Sequence, residues 1–496
     1  MKPPKPVLTD TVIPLHLRDN ALIYRNFIAD VTFIFDDVLD ADLVRNSLED
    51  LIAFGEWRKL GARLRLRDDN GLEYHIPQRF DAKRPGVTFN ISDYNMRMHE
   101  HPIASKVPRA SNKLQLFSSP DEFDGLLRQP NTPCRLEDWI YSDRPQLEVY
   151  MIRFEDATLI RMTSLHTLMD AVGRSGLLQA WTAKLRGRDD QIPAFHGFSE
   201  DPMASYTTDA LPRRPGNSQN GNPFLGWLRE PIRLATALFS SFWAPVLETR
   251  FLCVPGHYLD SMRELARKQL EGGTNDEDKE PQFVSEGDVL LAWWIRTWVS
   301  AINPPPSKTI TIVNMFNFRP ALPELFPKGA MFLGNTIMTI GTRVPVGEML
   351  QKPLGYLARR IRESIMSQST RDHVELQAAI QARGIQDMGV REPFQEPDPL
   401  VLACTNRHKA RYFDVDFSAA VSKEGAPKAH RSSAPGKPFF VLSRNFWLGS
   451  NRPSNSVNIA GKGPDDCWWI SQTLPRNAWG GIERQLADAN CNESIP

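Results

Sequence analysis

Two stretches of alternating apolar and polar residues, 146–154 and 158–165, flank the short polar segment Glu155-Asp156-Ala157, and this spacing predicts a β-hairpin. Past His166 the period changes. Met169, Val172, Leu177, Ala180 and Trp181 recur at helical intervals, so a helix follows the second strand and the histidine stands at the junction. Earlier, Asp40 caps a helix with Val44, Leu48 and Leu51 on one face, and Gly55 closes it. Asn70-Gly71 predicts a tight turn between Gly61-Ala62-Arg63-Leu64 and Leu72-Glu73-Tyr74-His75-Ile76-Pro77. Ser285-Glu286-Gly287-Asp288 opens a buried helix as a capping box, with Trp293, Trp294 and Trp298 in its core. Near the end, 439–443, 456–460 and 468–473 read as strands, and a helix begins at Pro475 with proline in its first turn. Strands and helices are mixed throughout, as in an α/β chain.

The richest linker is 200–224, where Asp201, Pro202, Pro212, Pro215, Gly216, Asn217, Asn220, Gly221 and Pro223 cluster. It divides the chain into a lobe of residues 1–210 and a lobe of residues 211–496, with the last strands free to pack on the first lobe. An apolar content of 41% over 496 residues suits two cores better than one. The segment 225–246 that follows is apolar and broken by Arg229, Glu230 and Arg233; a packed helix is the plain reading, and a lid, an acceptor-pocket wall or loose membrane contact are the functional ones. The 59 basic and 59 acidic residues balance, which removes the electrostatic case for nucleic acid or an anionic membrane as partner. Five well-separated cysteines without a CxxC pair suggest reduced thiols, neither a disulfide frame nor a zinc site. With no signal-like start and no membrane span, the cytoplasm is the expected location.

For chemistry, His166 and Asp170 come first. An imidazole between strand and helix can take a proton from an alcohol or amine while that group attacks a carbonyl, and Asp170 sits one turn further on. Other schemes fare worse. There is no GxSxG elbow, His99-Glu100 lacks the second histidine of HExxH, and the His99-Glu100-His101 cluster reads as a loop rather than a metal site. Lys423, Lys428, His430, Arg431 and Lys437 lie in the segment 422–438; they read as a solvated charged loop, with contact to a phosphate as the functional alternative.

A series of segments in chain order carries a resemblance. It comprises Gly61-Ala62-Arg63-Leu64, His166-Thr167-Leu168-Met169-Asp170, Ser285 to Trp293, Asn317-Phe318-Arg319-Pro320-Ala321-Leu322, Phe332-Leu333-Gly334-Asn335, Thr405-Asn406, Tyr412 to Phe417, and Leu474-Pro475 before a last helix. Together they span nearly the whole chain, which resembles the BAHD acyltransferases, chiefly their fungal branch. The resemblance implies two similar chloramphenicol acetyltransferase-like α/β domains, each a mixed sheet flanked by helices, joined by a long crossover loop.

The same resemblance implies a tunnel between the halves, entered by an acyl-CoA, most simply acetyl-CoA, as co-substrate and by a hydroxylated small molecule such as a terpenoid, polyketide or alkaloid. It implies no permanently bound cofactor or metal, and a monomer. His166 is the expected general base. Asp170 allows a dyad with the histidine, but the family pattern pairs it with Arg319 as a structural support, with Asp416 holding the start of its own loop. Thr405, Asn406 and Ser418 are placed on the CoA side. Departures are Arg407 where tryptophan is usual, Ala171 where glycine is usual, and Ser418-Ala419-Ala420 in place of Gly-Trp-Gly, which reshape the donor channel. Two rivals follow. A carrier-protein-dependent condensation enzyme would normally have a second histidine where Leu165 stands; a non-acylating relative would reuse the tunnel for binding or another reaction.

Overall fold

Among the described residues, twelve strands build two large sheets and are numbered in chain order: β1 Phe27–Phe35, β2 Thr88–Asp93, β3 Gln115–Phe117, β4 Glu148–Arg153, β5 Thr158–Leu165, β6 Leu247–Val254, β7 Thr309–Asn317, β8 Ile337–Pro345, β9 Leu400–Asn406, β10 Phe440–Trp447, β11 Ser456–Lys462 and β12 Trp468–Pro475. This computed structural model describes residues 2–206, 246–271, 283–388, 400–425, 431–447 and 455–492. The 210/211 boundary, most of the expected linker, the apolar segment 225–245, and Lys428 and His430 lie outside the described residues.

The first sheet has the order β10-β1-β5-β4-β2 and the second the order β8-β7-β9-β11-β12-β6-β3. Both are mixed: β2 runs parallel to β4, and β9 runs parallel to both β7 and β11. The predicted hairpin is β4–β5, with Arg153 opposite Thr158. Each sheet borrows a strand from the other half of the chain. β10 pairs along β1, Phe440 opposite Ile34, and β3 pairs with β6, Phe117 opposite Phe251. The exchange ties the sheets together around the space between them.

β1 is buried along almost its whole length, as a central strand covered on both faces must be. Its one buried acid, Asp30, is met by the Arg161 guanidinium of β5, whose Nε lies 2.8 Å from both carboxylate oxygens. Helices α1 Ala41–Ala53 and α2 Ala171–Leu185 cover this sheet through Val44, Leu48, Leu51, Leu177 and Trp181. The Asp40 cap accepts from the N–H groups of Asp42 and Leu43, both at 2.9 Å.

The second sheet packs against α3 Gly256–Glu271, α4 Glu286–Ile302, α5 Leu354–Gln368 and α6 Arg476–Asn492. α4 opens with the predicted box, Asp288 Oδ2 accepting from the Ser285 N–H at 2.8 Å, and its three tryptophans are buried. Pro475 ends β12 instead of entering the last helix, since Leu247 pairs opposite it and extends the strand. A further correction concerns the segment 422–438. Ser422–Glu424 belong to a short strand paired with Asp37–Leu39, and Arg431 is buried against Asp37 Oδ2 at 2.6 Å, so this guanidinium is spent inside the fold and is not presented to a phosphate.

Candidate active site

The alternation of the second sheet sorts its side chains by chemistry. Leu252, Leu402, Cys404, Ile459, Ile470 and Leu474 point to the helices. Thr249, Phe251, Thr405, Ser456, Asn458, Ser471 and Thr473, one residue out of step with them, face a cavity of about 220 Å³ that lies against the first sheet. Ile23, Tyr24, Phe27 and His166 close its other side, and the exposed Asp121 stands at its margin.

His166 follows the last residue of β5, and its N–H donates to the Phe27 carbonyl at 2.8 Å, which continues the β1–β5 ladder by one rung. Tyr24 stacks on the imidazole at 5.1 Å between centroids and Phe27 tilts against it at 4.9 Å. His166 is half-buried and lines the cavity. Burial, then the charge of Arg174, pulls its pKa down to about 4 against the opposing pull of Asp170. The imidazole is therefore neutral, a base in waiting, across the physiological range.

Asp170 is turned to other work. It caps α2, accepting from the Gly173 N–H at 2.8 Å, and takes two bonds from Arg319, at 2.9 and 3.1 Å, plus the N–H and hydroxyl of Thr336 at 3.1 and 3.2 Å. Burial pushes its carboxyl up, but Arg319 and these donors outweigh burial and hold it below the usual carboxylate range. Arg319 also donates to the carbonyls of Phe332 and Gly334, at 2.9 and 2.7 Å, so one guanidinium fastens the loop after residue 331 to the start of α2. The Leu333 carbonyl approaches that helix so closely that a Cβ on Gly173 would stand 2.1 Å from its oxygen. Glycine is required at 173.

The expected donor-side residues do not gather. Thr405 faces the cavity. Asn406, the next residue along β9, is exposed and accepts from the His408 N–H at 3.0 Å. Ser418 is exposed on a short 3-10 turn whose N–H donates to Asp416 Oδ1 at 2.9 Å, and it lies outside the cavity lining. Asp416 accordingly braces its own loop, with Arg186 at 3.8 Å from its second oxygen. Arg407 stays buried at the cavity wall, where its Nη1 donates to the Ser443 hydroxyl at 2.8 Å and burial lowers its pKa to about 10. His101 Nδ1 accepts from the N–H groups of Ile103 and Ala104, an ordinary turn contact. Among the described residues, no group of three or more histidine, cysteine or acidic side chains is placed to hold a metal ion, and no helix is long and apolar enough to cross a membrane.

Sequence reading missed the aromatic pair Tyr24 and Phe27, the buried Arg174 and the hydroxyl-lined wall. Only the wall left a local signal, the alternation of small polar residues in Ser456-Val457-Asn458 and Ser471-Gln472-Thr473.

No family model matches the chain. Full-length relatives do. The chain is 36% identical to the acetyltransferase adrJ of Penicillium rubens over 98% of its own length and 97% of that protein's. It is 35% identical to the acetyltransferase sphE of Aspergillus fumigatus, over 99% and 98% of the two chains. It is also 34% identical to a Penicillium decumbens protein named transcriptional regulator calD, over 97% and 96%. In structure it is similar to F. graminearum TRI101 complexed with coenzyme A and T-2 mycotoxin, with a TM-score of 0.66 and 12% identity over 96% and 98% of the chains. The shared fold and these full-length relatives place the chain in the BAHD acyltransferase family, among its fungal members.

Proposed function

We propose that the protein transfers an acyl group, acetyl in the simplest case, from acyl-CoA to a hydroxyl of a specialised metabolite such as a terpenoid, polyketide or alkaloid. The observation that carries this reading is one neutral imidazole at a cavity between two sheets, in a chain whose full-length relatives include acetyltransferases. Coenzyme A and a small acceptor, as held by the similar F. graminearum enzyme, are the corresponding substrates here. The same reading has the enzyme work as a cytoplasmic monomer, with Thr405 on the donor path and Asn406 and Ser418 near its outer end.

In this reading Nε2 of His166 accepts the hydroxyl proton as the acceptor oxygen bonds to the thioester carbonyl carbon. The carbonyl electron pair moves to oxygen, giving a tetrahedral oxyanion. Collapse re-forms the carbonyl and breaks the carbon–sulfur bond, and the imidazolium returns its proton to the departing thiolate. Ester and free CoA result. Asp170, whose oxygens are engaged elsewhere, keeps the strand-to-helix junction in shape and takes no proton.

A second reading, a non-acylating member that reuses the cavity for binding or another reaction, draws support from Ser418-Ala419-Ala420 and from the relative named as a transcriptional regulator. Incubation with acetyl-CoA and a pool of terpenoid, polyketide and alkaloid alcohols separates the two. The first predicts release of free thiol and products heavier by one acyl group; thiol release at background with several acyl donors supports the second.

A further inference from the structure

The cavity at His166 has a neighbour. A second void of about 10 Å³ lies between the sheets, and the two share Phe251, Arg407, Ser443, Asn458 and Ser471 in their walls. Phe440 and Trp469 line only the second void and meet edge to face at 4.7 Å between centroids, so its far side is aromatic. Both voids are stretches of one inter-sheet space, and a side chain that crosses this space divides them.

Arg407 makes that crossing. It follows β9 in the second sheet, and Ser443, whose hydroxyl accepts from its Nη1 at 2.8 Å, belongs to β10 in the first. Backbone bonds fix both ends of the bridge. The Arg407 N–H donates to the Ile459 carbonyl at 2.8 Å and the Arg407 carbonyl accepts from the Ala410 N–H at 2.8 Å, while Ser443 lies in the ladder opposite Val31. Both side chains are buried. Arg407 stands two residues after Thr405, and both line the cavity.

An acetyl group needs little room beyond its carbonyl. Each further methylene has to be housed, and in the direction of the aromatic void it meets a buried cation. To pass, a longer chain has to break the bond between Arg407 and Ser443 and lay apolar surface against a guanidinium whose lost partner it cannot replace. The space beyond would suit methylenes, but the bridge closes it to them.

We propose that Arg407, tied to Ser443, is a specificity-determining residue for the donor: a partition that limits the acyl group to a short one and shuts a longer straight chain out of the void behind it. The proposal rests on the acyl-CoA reading of the cavity, with Thr405 on the donor path.

The test is a donor series of acetyl-, butanoyl- and hexanoyl-CoA on the full-length protein with the alcohol pool, read as thiol release, with binding of each donor followed by calorimetry. The wild type is expected to lose about tenfold or more in kcat/KM from acetyl- to hexanoyl-CoA. Arg407→Ala, which joins the two voids, is expected to shift the hexanoyl-to-acetyl ratio by about tenfold or more toward hexanoyl-CoA. Ser443→Ala should shift it less, and Arg407→Lys, which keeps a long cationic donor, should restore the preference for acetyl-CoA. A ratio of donors does not depend on how much of a variant folds. Wild-type protein that uses hexanoyl-CoA as well as acetyl-CoA overturns the proposal whether or not the variants fold, as does an Arg407→Ala protein with an unaltered ratio. A wild-type preference for malonyl-CoA over acetyl-CoA, lost in Arg407→Ala, also overturns it, since the guanidinium would then be a carboxylate binder. Binding that ranks the donors as expected, without thiol release from any of them, would instead remove the acyl-transfer reading and leave the partition standing; binding of none removes both.

Discussion

The two surroundings of His166 are built on opposite terms. Toward α2, every oxygen of Asp170 is spoken for, and Arg319 serves Asp170, Asn317 and two carbonyls at once. Toward the second sheet, the wall mixes the apolar Phe251, Met315 and Ile337 with short hydroxyl side chains, of which Thr249 and Thr473 meet at 2.8 Å. A hydroxyl can rotate and trade a neighbour for a ligand; a buried carboxylate with charged and backbone donors cannot. The contrast teaches where the fold holds geometry fixed and where it leaves choice: the junction that carries His166 is clamped from behind, and the cavity wall opposite it includes groups that can adapt.

If that contrast is right, the clamp breaks hard. Arg319→Leu leaves Asp170 buried without its counter-charge and is expected to cost about 3–5 kcal/mol of stability together with most of the activity. Asp170→Asn should lower melting temperature and rate together; a melting temperature equal to the wild type would contradict the structural role. Gly173→Val drives a side chain into the Leu333 carbonyl and is expected to give little folded protein, measured as soluble yield and circular dichroism.

The pH dependence sharpens the same comparison. With the imidazole pKa near 4, the acid limb of kcat/KM for acetyl-CoA should fall well below the 6.5 of an ordinary histidine. A limb at 6.5 would mean the ring sits in bulk water. The linked stability has a definite sign. Between about 6.5 and 4 the unfolded chain binds the proton that the folded ring refuses, so His166 makes the fold less stable as pH drops through that window, and His166→Gln should flatten this part of the thermal-melt profile. The smallest effects belong to the adaptable wall. Thr249→Val removes the exchangeable hydroxyl contact with Thr473, about 0.5–1.5 kcal/mol, and should raise the acceptor KM by less than about tenfold with kcat nearly unchanged.

What could be read from the chain divides along sequence distance. Asp40, Asn70-Gly71 and Ser285 with Asp288 announce caps and turns because the bonds involved span two or three residues. His166, Asp170 and Arg319 stood out through family resemblance; the structure then brings Arg319 to Asp170 across 149 positions, a pairing no local pattern encodes. The strand exchange of β3 and β10, the Asp37–Arg431 pair and the Asp19–Asn335 contact are of the same long-range kind. Asn406 shows a different limit. It adjoins Thr405 in sequence, but successive residues of a strand point to opposite faces, so one lines the cavity and the other meets solvent. The resemblance puts Ser418 in a loop whose glycines and tryptophan this chain lacks, and its turn lies away from the cavity lining.

The central claim is that a single imidazole does the proton transfer, and replacing it tests that most directly. Thiol release from acetyl-CoA, with the acceptor identified from the alcohol pool, should fall by about 10²–10⁴ in His166→Gln while the melting temperature at pH 7 stays close to that of the wild type. A His166→Gln enzyme that folds normally and turns over within a few-fold of the wild-type rate would contradict it.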